Sequence, residues 1–279
     1  GYLDPTEREN TVLTGNLVNE IQIGTSTHTL LFGGEIIDTS NDNHRYDTFW
    51  STTSDDNEIF NITRPMNFSV NSSGGATSND FTAKLKSKTK SDIEVTSIYF
   101  QDQIDVSDRL KLMIGGRHDT FDITVADIKS GTSQSREDKE FSPRAGVIFK
   151  PSENVSWYYS YSESFLPRSG EQYKKLTASA AALDPDVYES SEFGVKIAIS
   201  ESLSFAAAYF DSEQTIATRD ASGEGAEIVG LQVDGLELEL KGKVNDKMNL
   251  VVGYSSMDGK TSSGGEPREI PDHTLSLFA

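Results

Sequence analysis

Between Val155 and Phe165 the chain sorts its side chains by parity. Odd positions hold Val155, Trp157, Tyr159, Tyr161, Glu163 and Phe165, and even positions hold Ser156, Tyr158, Ser160, Ser162 and Ser164. Successive residues of a strand point to opposite faces, so one face here is large and aromatic and the other mostly small and hydroxylic. A second extended run from Phe141 leads into it through Pro151-Ser152-Glu153-Asn154, residue types that suit a tight reversal. The stretch predicts a β-hairpin over Phe141–Phe165. Two architectures accept it: a soluble sandwich, and a membrane barrel with its aromatic face towards lipid and its hydroxyl face towards a wet lumen.

The same alternation recurs along the chain. Leu13, Gly15, Leu17, Asn19, Ile21 and Ile23 share one face of a run that turns at Gly24-Thr25-Ser26 into His28–Glu35. A polar segment, roughly Asp38 to Asp92, reads as a long loop. Ile93–Val106 and Leu110–Val125 form the next hairpin, with Ile98 and Phe100 on a face with Asp102, and a charged loop spans about Ala126 to Glu140. After the central hairpin, Leu166 to about Val187 reads as loop, followed by strands Tyr188–Ile199 and Leu203–Arg219 and a loop over Asp220–Glu227. Leu236, Leu238 and Leu240 oppose Glu237, Glu239 and Lys241, and Met248, Leu250, Val252 and Tyr254 continue the apolar face. A loop at Asp258–Glu269 precedes a last strand at about Pro271–Ala279. About eleven strands result, with short turns on one rim and long loops on the other, the asymmetry of outer-membrane barrels with short periplasmic turns and long extracellular loops.

Composition agrees with that choice. Hydrophobic residues make up 35% and mean hydropathy is −0.46, low for a packed globular core but suited to a wall where only alternate residues face lipid. No apolar run approaches the length of a transmembrane helix. With no cysteine, disulfides and Cys-based metal sites are excluded. The formal charge of −19 argues against nucleic acid as a partner. The start, Gly1-Tyr2-Leu3-Asp4-Pro5, has neither a basic nor an apolar leader region, which reads as a mature product or an internal fragment.

Several stretches, taken in order, resemble the TonB-dependent outer-membrane receptors, and within them the ferric-siderophore receptors. They are His28-Thr29-Leu30-Leu31-Phe32-Gly33, Tyr99-Phe100-Gln101-Asp102-Gln103, Leu112-Met113-Ile114-Gly115-Gly116-Arg117-His118-Asp119, and Phe141-Ser142-Pro143-Arg144-Ala145-Gly146. Tyr159–Phe165, Leu183-Asp184-Pro185, Phe193-Gly194-Val195-Lys196, Gly235-Leu236-Glu237-Leu238-Glu239 and Pro271–Leu277 complete the set. The resemblance implies an all-β fold, an antiparallel transmembrane β-barrel segment of about eleven strands from a barrel of roughly 22. It further implies that residues 1–279 are a partial receptor β-barrel domain, with plug domain, TonB box and terminal strands outside it. The implied activity is active uptake of a ferric siderophore across the outer membrane of a Gram-negative bacterium. The implied partners are the TonB complex, acting through the N-terminal region, the protein's own plug domain and outer-membrane lipid. Iron would arrive as siderophore-bound ligand, and no cofactor is implied. A passive outer-membrane porin and a surface-exposed β-barrel adhesin are the alternatives.

Phe49, Trp50, Phe60, Arg64, Arg168 and Tyr173, with Phe68, fall in predicted extracellular loops. In siderophore receptors, aromatic and basic groups near the outer mouth hold a chelate by stacking, charge and hydrogen bonding, which makes these the candidate ligand-binding residues. Asp38, Asp42, His44, Asp47, Asp55 and Asp56 crowd the first long loop, but their spacing fits no Ca²⁺ loop and reads as a solvated acidic segment. Arg117, Asp119, Arg144, Glu192, Lys196, Glu237, Glu239 and Lys241 fall on or near lumen-facing positions, where charges pair with one another or with water. No catalytic residues and no metal site are expected. Glu237 and Glu239 point the same way on a strand, which is no general-acid arrangement without a pocket.

Overall fold

The structure, a computed structural model, describes residues 2–47, 85–167, 176, 183–219, 225–245, 247–267 and 270–279. Every regular element among them is a strand: β1 (Tyr2–Leu3), β2 (Thr6–Ile23), β3 (Ser26–Asp47), β4 (Leu85–Asp105), β5 (Leu110–Asp127) and β6 (Thr132–Ser152). They continue as β7 (Val155–Leu166), β8 (Asp186–Ala198), β9 (Leu203–Arg219), β10 (Gly225–Asn245), β11 (Met248–Thr261) and β12 (His273–Phe278). β1 and β2 both pair with β3 and are one rung interrupted at Asp4-Pro5, because proline has no N–H to give the ladder. The ladder survives the break through the Pro5 carbonyl, which accepts from His44 N at 3.0 Å. From there each rung pairs antiparallel with the next in sequence order, so the sheet is an eleven-rung meander that stays open between its first rung and β12.

The registers sort the side chains into two faces. Phe32 lies opposite Leu17 and Phe100, and Trp157 lies opposite Phe149 and Val195 and stacks on Phe193 with ring centroids 5.6 Å apart. This apolar face continues through Tyr209 and Leu236 to Leu275. Its members are bare, with Leu17 66%, Ile98 65% and Leu275 72% exposed. In water such a surface is an aggregation liability, and against hydrocarbon it is the stable arrangement. On β2 the apolar positions run from Leu13 to Ile23, which at about 3.3 Å per residue and a tilt of about 40° covers some 25 Å, close to the apolar band of a barrel. Beyond it the same face turns acidic, at Asp38, Glu94, Asp122, Glu137, Glu163, Glu189, Asp211, Asp234 and Asp258 on successive rungs. Tyrosines join that border: the Tyr209 hydroxyl donates to Asp234 at 3.1 Å and that of Tyr161 to Glu163. An amphipathic ring at an interface behaves this way.

The opposite face is polar for most of its height. Its buried apolar cluster sits towards the end that carries the long connections, where Ile93, Phe121, Ile123 and Val125 pack with Leu176 from the β7–β8 connection. That end is called the loop rim below, and the other the turn rim.

Four loops are shorter than the sequence predicts. β3 runs on to Asp47 and β4 already starts at Leu85, so both ends of the segment Asp38–Asp92 are strand. The predicted loop Ala126–Glu140 is a hairpin whose turn is only 128–131. Strands β9 and β10 close on 220–224, and β11 continues to Thr261. The cause is the same each time: polar side chains do not end a strand while a neighbouring strand completes its ladder. The rim asymmetry is therefore carried partly by strand overhang, since 128–131 is a short connection on the loop rim.

Candidate functional site

The polar face is where this sheet concentrates its specific interactions. All eight charged residues assigned to it by alternation lie there in the register. Gly115-Gly116-Arg117-His118-Asp119 on β5 places Arg117 and Asp119 one full side-chain period apart, and Arg117 Nε donates to Asp119 Oδ1 at 2.7 Å. Arg117 Nη2 reaches Glu35 Oε1 on β3 at 2.7 Å and Ser97 Oγ on β4 at 2.6 Å. Ser97 is buried and donates in turn to Asp119 at 2.5 Å, while Thr14 of β2 donates to Glu35 at 3.1 Å. The guanidinium stands 5.4 Å from the centroid of the Tyr99 ring, whose hydroxyl donates to Asn16 on β2 at 2.7 Å. One arginine thus ties four adjacent rungs together. Charge-assisted bonds of this kind are strong because each partner is fixed on a paired strand.

A second cluster centres on Tyr158. It is the one large residue on the otherwise hydroxylic face of the central strand, and it lies across Gly194 on β8. Its hydroxyl donates to Glu192 Oε1 at 2.5 Å and the Lys196 ammonium stands 5.3 Å from its ring centroid. Glu192, Glu237 and Glu239 share, with Tyr158 and the small residues Ala206 and Ala208, a recess of about 370 Å³. Three carboxylates around one tyrosine make a receptacle for a cationic side chain or ammonium group. Sequence alternation found the carboxylates but missed Tyr158; its signal was a single ring among serines opposite a glycine.

At the loop rim Arg136 pairs with Asp138 at 2.5 Å and also donates to the carbonyl of Leu183. Asp138 is almost fully buried. With Leu176 packed on Ile93 and Phe121, this anchors the β7–β8 connection against the polar face of β4–β6. Alternation alone gives no sign of that contact, because it joins residues about fifty positions apart through an irregular segment.

The candidate ligand-binding residues Phe49, Trp50, Phe60, Arg64, Arg168 and Tyr173 lie outside the described residues, as do Phe68, Asp55 and Asp56. Asp38, Asp42 and His44 are not in a loop but on the apolar face of β3, beyond the band. There His44 Nε2 meets Asp42 at 2.8 Å and Lys90 approaches the same carboxylate at 3.7 Å. Among the described residues no three His, Cys, Asp or Glu side chains gather in a metal-holding group.

Comparison with known proteins converges on one family. The family model described as TonB dependent receptor-like, beta-barrel matches residues 2–279. The ferrichrome outer membrane transporter and phage receptor of Escherichia coli K12 is 27% identical across 99% of this chain and 36% of its own length. The probable TonB-dependent siderophore receptor PiuA of Acinetobacter baumannii is 29% identical across 69% of this chain and 28% of its own. In three dimensions the PiuA crystal structure superposes with a TM-score of 0.74 at 23% identity, covering 98% of this chain and 44% of that one. The ferric preacinetobactin receptor BauA of the same species gives 0.76 at 16% identity, over 99% and 41%. The chain therefore spans about a third of the length of the curated relatives it matches. A bare apolar belt, a hydrogen-bonded polar face and a family match over almost every residue lead to one assignment: the chain belongs to the β-barrel of the TonB-dependent receptors, proteins of the Gram-negative outer membrane.

Proposed function

We propose that this chain is part of the wall of a receptor that takes up a ferric siderophore across the outer membrane, energised through TonB. The observation that carries the reading is the family match over residues 2–279, with relatives whose names describe siderophore receptors and transporters. In this reading the domain is partial. A plug fills the lumen of the complete protein and seats a cationic side chain in the recess of Glu192, Glu237 and Glu239. The chelate is held at the loop rim by Phe49, Trp50, Phe60, Arg64, Arg168 and Tyr173, and the iron is cargo that belongs to the chelate. The chain contributes no catalysis and needs no cofactor. The passive porin is the weaker reading, because the relatives are receptors and the polar face is built of fixed ion-pair clusters.

The test is uptake of radiolabelled iron by cells expressing the full-length protein, with ferrichrome and ferrioxamine B offered as separate chelates, in strains with and without TonB. Saturable uptake of at least one chelate that vanishes without TonB is expected. Uptake that is independent of TonB and rises linearly with concentration belongs to a porin and overturns the proposal.

A further inference from the structure

Two of the stretches singled out in the sequence meet on the lipid-facing side of the wall, and the receptor reading leaves their meeting without a role. His28 and Asp102 share the apolar face with Phe32 and Phe100, and His28 Nδ1 meets Asp102 Oδ2 at 2.8 Å across β3 and β4. Leu30 and Ile114 lie opposite Asp102, and Ile21 and Ile104 lie opposite His28. Asn19 of β2 joins them on the far side of Leu30. The row of Ile21 and His28 is two residues above Ile23, about 5 Å inside the band by the same rise and tilt. The pair thus stands within the band near the turn rim, where ionisable groups are costly and mark a functional contact. β3 and β4 each have a paired strand of this chain on both sides, and a plug lies on the opposite face. Lipid alone completes the surroundings of the pair.

The protein does not satisfy this pair by itself. Both side chains are 16% exposed, and Asp102 Oδ1 is buried without a donor. A carboxylate held in hydrocarbon this way calls for a positive charge beside it, which is the His28 ring with a proton on each nitrogen. Nδ1–H is spent on Asp102, and among the described residues Nε2–H and the Asn19 amide have no acceptor. We propose that the notch of Asn19, His28 and Asp102 binds the phosphate diester of a phospholipid in the periplasmic leaflet. His28 and Asn19 donate to the phosphate oxygens, and the ring stands between the phosphate and the carboxylate. Asp102 is a positioning residue that fixes the ring. Ile21, Ile23 and Leu30 flank the acyl chains. A phospholipid supplies the anionic acceptor at the height where headgroups begin, together with the hydrocarbon that the surrounding side chains require. The site rests on the barrel wall and is independent of the cargo the receptor carries.

The experiment uses the full-length protein in detergent, with one-to-one lipid binding read by native mass spectrometry. The probes are dioleoyl phosphatidylethanolamine and dioleoylglycerol, which has the same chains and no phosphate. One variant combines His28→Phe with Asp102→Leu, removing both charges together so that neither is stranded. The other, Asn19→Leu, leaves the pair intact. Wild type should bind the phospholipid at least about tenfold more tightly than dioleoylglycerol, and the double variant should lose that preference, as removal of a charge-assisted hydrogen bond does. Asn19→Leu should weaken phospholipid binding about fivefold. Added phospholipid should raise the Tm of the wild type and leave that of the double variant unchanged. A pair that only holds β3 to β4 gives the opposite pattern, a double variant with lowered Tm and unchanged lipid affinity, and overturns the site. Equal binding of dioleoylglycerol to the wild type overturns it too, as does binding of lipid A alone, which belongs to the leaflet at the loop rim. If the double variant does not fold, Asn19→Leu decides, and an unchanged phospholipid Kd there overturns the site.

Discussion

Gly194 and Tyr158 show how much of this wall is decided by single side chains. A Cβ at Gly194 would stand 2.5 Å from Tyr158 Cζ, too close for any real contact, so glycine is what lets the ring lie flat across β8. Lying flat is what brings the hydroxyl to Glu192 and the ring face to Lys196. Gly194→Ala should therefore lift the ring and release the Glu192 bond, with an overpacking cost of about 1–3 kcal/mol. The check is a double-mutant cycle with Tyr158→Phe, read as unfolding free energy of the full-length protein in detergent. The two substitutions should be non-additive, because each removes the same hydrogen bond. Full additivity would mean that Gly194 does not position Tyr158. Arg117 acts likewise at the far side of the wall, where one guanidinium is shared by Glu35, Ser97 and Asp119.

At the scale of elements, the β5–β6 hairpin beyond the membrane band holds its turn through one carboxylate. Asp127 Oδ1 accepts from Lys129 N at 2.9 Å and from Ser130 N at 3.0 Å, and Gly131 adopts φ 72° at the end of the turn. The Ser130 amide, followed by that of Lys129, favours the charged carboxylate and holds Asp127 below the ordinary aspartate value of 3.8. A depressed pKa contributes stability that is complete above the unfolded value and is lost as pH falls through the folded one. A carbon-detected titration of Asp127 in detergent micelles should give a midpoint below 3.8, with the Lys129 and Ser130 amide shifts moving at the same pH. A midpoint at or above 3.8 with static amides would show that the turn is not held this way. This hairpin also marks where the sequence was legible. Alternation located the strands of the band, since Leu110, Leu112 and Ile114 must all meet lipid. It lost them over Ala126–Glu140, where β6 is polar on both faces and only pairing with β5 keeps the chain extended. The recess carboxylates Glu192 and Glu237 were legible as a face, and their gathering around Tyr158 was not, because cross-strand register is set by turns and bulges such as the one between Phe149 and Ser152.

For the whole molecule, the open sheet sets a parity condition. With eleven rungs in strict meander, the first rung and β12 run in the same direction. An all-antiparallel closure then requires an odd number of further strands, and a second copy of this chain in the same membrane orientation would meet it only through parallel seams. The apolar belt makes closure necessary, because unpaired strand edges are not tolerated in hydrocarbon. The measurement that tests this account most directly is the intact mass of the native protein, with its N-terminal sequence, from isolated outer membranes. A species more than twice the 30.6 kDa of this chain, carrying it inside a longer polypeptide, is the predicted result. A native outer-membrane species of 30.6 kDa would contradict it.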